Sequence, residues 1–163
     1  MLFRKKETNQ DENTQAIDPN RRYYGNNFSI SQPEGWNDNT IHTLYGPIDD
    51  GIQHNIIISV EYGINCDTVK KYADIQIESL GNSLKSFILL KQDEISLSNG
   101  FPAYKIVFRW YPAENIRLYQ EQIFVLSDKT AYKLTSSFTK KTRKTLGPQI
   151  EQILMSFSLK NIQ

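Results

Sequence analysis

Apolar positions along this chain keep two rhythms, and the clearer one is period two. From Phe101 to Asp128 the sequence reads FPAYKIVFRWYPAENIRLYQEQIFVLSD: two alternating runs, 103–111 and 117–126, joined by the polar link Pro112-Ala113-Glu114-Asn115. Alternation of this kind predicts strands, and the link predicts a hairpin loop. On the first run Tyr104, Ile106, Phe108 and Trp110 share one side, with Ala103, Lys105, Val107 and Arg109 on the other. On the second, Leu118, Gln120, Gln122, Phe124 and Leu126 alternate with Tyr119, Glu121, Ile123 and Val125. Both faces therefore carry apolar groups. Such a hairpin is expected inside a sheet, because an edge strand normally keeps one face wet.

The same rhythm predicts strands at 27–31, 40–45, 54–62, 86–97 and 130–139. A three-and-four spacing of Val69, Tyr72, Ala73, Ile77, Leu80 and Leu84 predicts a helix that starts at Asp67, whose carboxylate is the expected cap. Leu146, Ile150, Ile153 and Leu154 predict a second helix over about 145–156. Trp36, just after Pro33-Glu34-Gly35, reads as a core anchor for that turn. Residues 1–22 have little apolar content and read as a flexible polar tail, leaving 23–163 as a single domain. Strands grouped between only two main helices predict an α+β fold, an antiparallel sheet of about six to seven strands.

Composition narrows the function classes. A chain of 163 residues with a formal charge of +1 is sized for one domain and lacks the basic excess of a nucleic-acid binder. The dense basic run Lys140-Lys141-Thr142-Arg143-Lys144 reads as a solvated helix entry. Cys66 is the only cysteine, so no intrachain disulfide can form. The longest apolar run is Ile56-Ile57-Ile58 and the start shows no apolar signal region, so neither membrane insertion nor a signal peptide is expected. Two histidines, His42 and His54, and one cysteine are too few for a metal site, and neither a cofactor nor a metal is expected. No nucleophile elbow, P-loop or dinucleotide fingerprint occurs. The pairs Asp49/Asp50 and Asp93/Glu94 fall in a turn and along a strand, where solvated carboxylates are ordinary. The reading is non-catalytic. What remains is surface: Gln120 and Gln122 sit on a strand face with Leu118 and Phe124, either simply exposed or offering amides to a partner's backbone.

The residues Phe28, Ile30, Pro33, Gly35, Trp36, Asp38 and Thr40, then Pro102, Phe108 and Trp110, carry a likeness to a known family. Gln120, Gln122, Phe124, Val125, Ser156 and Phe157 extend it, so that it spans about residues 23–159. The chain resembles the DcrB-like family, and within it the Eag branch, the effector-associated chaperones of bacterial type VI secretion. The resemblance implies a PsbP-like fold, a homodimer and a cytoplasmic chaperone. Its clients would be the hydrophobic N-terminal transmembrane helices of a secreted effector, shielded before export. Carried onto this sequence, the groove positions are Ile41, Thr43, Leu118, Gln120 and Gln122; alternation alone adds Ile57 and Ser59. The polar extension departs from the Eag pattern and keeps an alternative open. Other DcrB-like proteins are exported lipoproteins whose linker precedes the domain, which would give an envelope protein with a structural or accessory role.

Overall fold

A computed structural model describes residues 18–160, divided into two compact units between Asp38 and Asn39. Of the expected tail, residues 1–17 lie outside the described residues.

In the first unit, β1 (Arg22–Tyr24) and β2 (Ser29–Ser31) form a two-stranded antiparallel sheet, Tyr23 opposite Ile30. The second strand was expected; the first, too short to show a rhythm, was not. The Phe28 ring closes over Gly25, where a Cβ would lie 2.5 Å from it and would push the exposed ring aside. Trp36 corrects an expectation. It is 68% exposed rather than anchored in a core. The turn before it is held without the indole: Trp36 N–H donates to the Pro33 carbonyl at 3.3 Å, and the Gln32 side-chain Nε2 donates to the Trp36 carbonyl at 2.6 Å.

The second unit is built on six strands: β3 (Ile41–Asp49), β4 (Ile52–Tyr62), β5 (Ile88–Ser96), β6 (Pro102–Ala113), β7 (Ile116–Ser127) and β8 (Thr130–Phe138). All neighbours are antiparallel, in the order β3-β4-β8-β7-β6-β5. The β6–β7 hairpin lies inside the sheet, as its two apolar faces require. Its turn is tighter than the polar link predicted. Pairing runs to Ala113 opposite Ile116, leaving only Glu114 and Asn115, with Asn115 at φ +62°. The β3–β4 hairpin closes through Asp50 and Gly51, both at positive φ, the conformation a two-residue turn needs to match strand twist.

Helix α1 (Val69–Ser83) follows β4, and its cap is Thr68, whose hydroxyl accepts from the Lys71 amide at 3.2 Å. Asp67 does not cap; it pairs with the Lys71 ammonium at 2.6 Å instead. The single helix expected over 145–156 is two: α2 (Thr142–Thr145) and α3 (Gly147–Met155). Proline has no N–H to continue a helix and is tolerated only in its first turn, so Pro148 restarts it.

The helices cover opposite faces of the sheet. Under α1, Tyr72 and Ala73 pack with Tyr104, Ile106, Phe108, Phe124 and Ala131. Under α3, Ile150 and Leu154 pack with Ile56, Tyr119, Ile123, Val125, Leu134 and Phe138. Cys66 belongs to the packing around the first cluster.

Candidate functional site

Directly opposed residues of neighbouring strands point to the same face of a sheet. The register sets Ile41 opposite Ser59 and Thr43 opposite Ile57, then Ile57 opposite Thr135 and Ser59 opposite Lys133. Thr135 lies opposite Gln122, Ser137 opposite Gln120, and Leu118 opposite Trp110. All seven sequence-derived positions, Ile41, Thr43, Ile57, Ser59, Leu118, Gln120 and Gln122, therefore share one face. It is the face on which α1 packs.

That face changes character across the strands. Beneath α1, on β5, β6 and β7, Ile106, Phe108 and Phe124 are fully buried. Toward β8, β4 and β3 the side chains become Lys133, Thr135, Ser137, Asn55, Ile57, Ser59, Glu61, Thr43, Ile41 and Tyr45. α1 reaches toward this half with Tyr72, whose hydroxyl donates to Glu61 Oε2 at 2.7 Å. Exposure rises along the row: Gln122 is 5% exposed and Ile57 half-buried, while Ile41 is 55% and Tyr45 76% exposed.

The polar groups of this half are unevenly satisfied. Trp110 Nε1 donates to Gln120 Oε1, and Gln120 Nε2 donates to Ser137 Oγ, both at 2.9 Å. The Gln120 amide is thus engaged at both ends. Gln122 Oε1 and Asn55 Oδ1, by contrast, are buried acceptors without a hydrogen-bond partner. Leaving a buried acceptor unpaired costs about 1–3 kcal/mol, which an incoming donor would recover.

The opposite face holds charges that alternation did not expose as a group. Lys105 on β6 pairs with Glu121 on β7 at 3.1 Å and donates a hydrogen bond to Glu151 on α3. Burial pushes the Glu121 carboxyl above the usual carboxylate range, and the Lys105 charge offsets part of that. These side chains, with Arg143 stacked on Tyr119 at 5.1 Å, line a cavity of 290 Å³. Farther along this face, His54 is fully buried and its Nδ1 lies 3.1 Å from the Ser137 carbonyl. That partner makes Nδ1 the protonated nitrogen. His42 and His54 do not converge on a common centre: their strand partners are Ile58 and, by the same register, Phe138.

An antiparallel sheet with α1 on one face and α3 on the other is a PsbP-like architecture. Cyanobacterial PsbP (CyanoP) from Synechocystis sp. PCC 6803 shares it, with a TM-score of 0.53 and 11% identity over 86% of this chain and 92% of that one. PA94 from Pseudomonas aeruginosa, a crystal structure of a protein of unknown function, is similar at a TM-score of 0.70. It is 19% identical, with 85% of this chain and 96% of that chain covered. The DcrB family model matches residues 28–156, and the chain belongs to the DcrB family. No curated protein matches the sequence.

Proposed function

We propose that the open half of the α1 face is a holding surface for hydrophobic helices, and that the protein is a non-catalytic, cytoplasmic, homodimeric chaperone. Its clients are the N-terminal transmembrane segments of a type VI secretion effector, bound before export. The observation that carries this reading is that Ile41, Thr43, Ile57 and Ser59 lie together on the open half, on the same face as Leu118, Gln120 and Gln122, where aliphatic groups alternate with hydroxyls and amides. A helix built for a membrane has a long apolar stripe to hide from water and packs through small, polar-spotted faces. Ile41 and Ile57 meet the first need, each worth roughly 1.5–3 kcal/mol on full burial. The unpaired Gln122 Oε1 and the hydroxyls of Thr43 and Ser59 meet the second by accepting from, or bonding to, polar groups of the helix.

The test is co-purification with the hydrophobic N-terminal segment of such an effector. Ile41→Glu with Ser59→Glu places two carboxylates opposite each other on the open half. The variant is expected to keep its melting temperature and lose the client. A folded double variant that retains the client with unchanged affinity removes the reading. The match to the DcrB model itself favours a second reading, an envelope protein with a structural or accessory role. It predicts fractionation with the envelope and no captured effector segment.

A further inference from the structure

Around Tyr119, on the α3 face, guanidinium groups gather without carboxylates to answer them. Arg109 lies opposite Tyr119 across β6 and β7 and so shares its face. Arg117, two positions earlier on β7, and Arg143 on α2 hold their guanidinium carbons over the Tyr119 ring, 5.5 and 5.1 Å from its centre. Among the described residues none of the three makes an ion pair. The acids nearby are committed elsewhere: Glu121 and Glu151 both turn to Lys105, and Asp93 pairs with Lys91. Arg143 is positioned by its backbone although its side chain is exposed. Thr139 N–H donates to Thr142 Oγ1 at 2.9 Å, Thr142 N–H donates back to Thr139 Oγ1 at 3.1 Å, and Thr142 is fully buried. The 290 Å³ cavity opens beside this cluster, with Arg143, Lys91 and Lys105 in its lining against Glu121 and Glu151. That volume stands at the low end of small-molecule sites, about 300–1,000 Å³.

We infer that this cavity binds a small hydroxylated phosphomonoester of the sugar-phosphate kind, its phosphoryl group at Arg117 and Arg143 and its body inside. A guanidinium fixed over an aromatic ring keeps its planar fork of N–H donors available to an oxyanion. A carboxylate brings one charge and two oxygens, which a single fork can satisfy. Two forks over one ring, with Arg109 beside them, suit a group with more of both. A phosphomonoester carries three acceptor oxygens and about −1.5 to −2 charge at neutral pH. The inner groups select the body. Ionised Glu121 and Glu151 only accept hydrogen bonds and Lys105 only donates them, so hydroxyl groups, which do both, suit this lining. The same two carboxylates repel a phosphoryl group from the interior and leave it at the arginine rim. A hollow of this size suits a small molecule better than a membrane or a polymer, and the chain as a whole carries only +1, so the excess is local. The site lies on the face opposite the proposed holding surface and does not depend on it.

Calorimetric titration of the full chain at fixed ionic strength tests it, with ribose 5-phosphate as the probe and ribose and inorganic phosphate as its two halves. Ribose 5-phosphate is expected to bind saturably, one per chain, at least tenfold more tightly than inorganic phosphate, and ribose alone to give no heat. Arg143→Ala should weaken binding at least tenfold while native circular dichroism is kept, because the turn that carries it closes through Thr139 and Thr142. Arg143→Lys should stay weak, since an ammonium is a point charge without the fork. Arg117→Ala should weaken binding as well. Lys144→Ala, next on α2 but outside the cavity lining, should leave it unchanged. No saturable binding of ribose 5-phosphate overturns the inference. So does inorganic phosphate binding as tightly as the ester, which would leave the cavity without a part. Equal losses in Arg143→Ala and Lys144→Ala would reduce the effect to diffuse surface charge and overturn it too. Binding to phosphatidylglycerol vesicles with none to the soluble ester would overturn it in favour of a membrane contact.

Discussion

The two faces of the sheet are finished differently, and the difference marks out the half proposed above as the holding surface. On the α3 face the apolar cluster runs from β6 through β7 and β8 to Ile56 on β4, so one helix and one sheet share a nearly continuous core. On the α1 face the cluster stops at Ala131 on β8. Beyond it the same face offers Thr135, Ile57, Ser59, Thr43 and Ile41. A face left to water would be expected to carry charges, and one meant for the core would carry aliphatic groups alone. This half mixes the two, since Lys133 and Glu61 share it with the aliphatic and hydroxyl groups. Mixed aliphatic, hydroxyl and amide groups suit a surface that is wet at one time and covered at another.

The largest effect that separates these halves is a truncation beneath α1. Phe124 is fully buried and meets the Tyr72 ring edge-on at 5.7 Å between centroids. Phe124→Ala is expected to lower unfolding free energy by about 3–5 kcal/mol, read by urea denaturation. Thr43→Ala, on the open half of the same face, is expected to stay within about 0.5 kcal/mol of wild type. Comparable losses in the two variants would mean that the open half is part of the folded core, and the contrast between the halves would fail.

The α3 face is tested through its charges. Lys105→Met leaves Glu121 buried without its cation, at an expected cost of about 1–3 kcal/mol near neutral pH. The sign of the pH dependence follows from the raised carboxyl of Glu121. The folded state holds that proton more tightly than the unfolded chain does. This group's contribution therefore favours folding at low pH and is lost as pH rises from the ordinary carboxylate value through the folded one. Removing the Lys105 charge pushes the folded value further up, so the variant's deficit should shrink on acidification through that window. A deficit that does not change with pH would show that Lys105 acts through packing of its aliphatic stem.

Much of this arrangement is legible along the chain, and the misses share a cause. Period-two alternation identified the interior hairpin because both its faces are apolar, and it put Leu118, Gln120 and Gln122 in one row. It also put Ile57 and Ser59 on a common side of their own strand, and the β4–β8–β7 register then sets that side on the face of Gln120 and Gln122. Parity cannot say which half of a face a helix covers. That depends on where α1 lands, and only then does Gln122 become a buried amide with an unpaired oxygen while Ile41 stays open. The Lys105 cluster was hidden because its third member, Glu151, lies 46 positions away on another element. Trp36 misled because size alone does not bury a side chain; its neighbouring turn closes through a backbone bond and the Gln32 side-chain amide. Pro148 was readable as a helix start, but the stripe of Leu146, Ile150 and Ile153 runs straight through it.

The smallest effect sharpens the contrast by loosening the cover alone. Thr68 Oγ1 accepts from the Lys71 amide at the start of α1, and no acidic residue in the first turn shares that task. The Asp67–Lys71 and Lys70–Asp74 pairs beside it are exposed, so they add little. Thr68→Ala should therefore cost about 1 kcal/mol, the usual worth of an N-cap side chain. The loss should be local. Hydrogen exchange is expected to speed up over the first turns of α1, near Val69 to Ala73, while amides paired between β4 and β8 keep their protection. If β4 and β8 lose protection together with α1, the helix and the open half unfold as one unit. The open strands would then owe their order to the cover, instead of standing by sheet pairing and the α3 core.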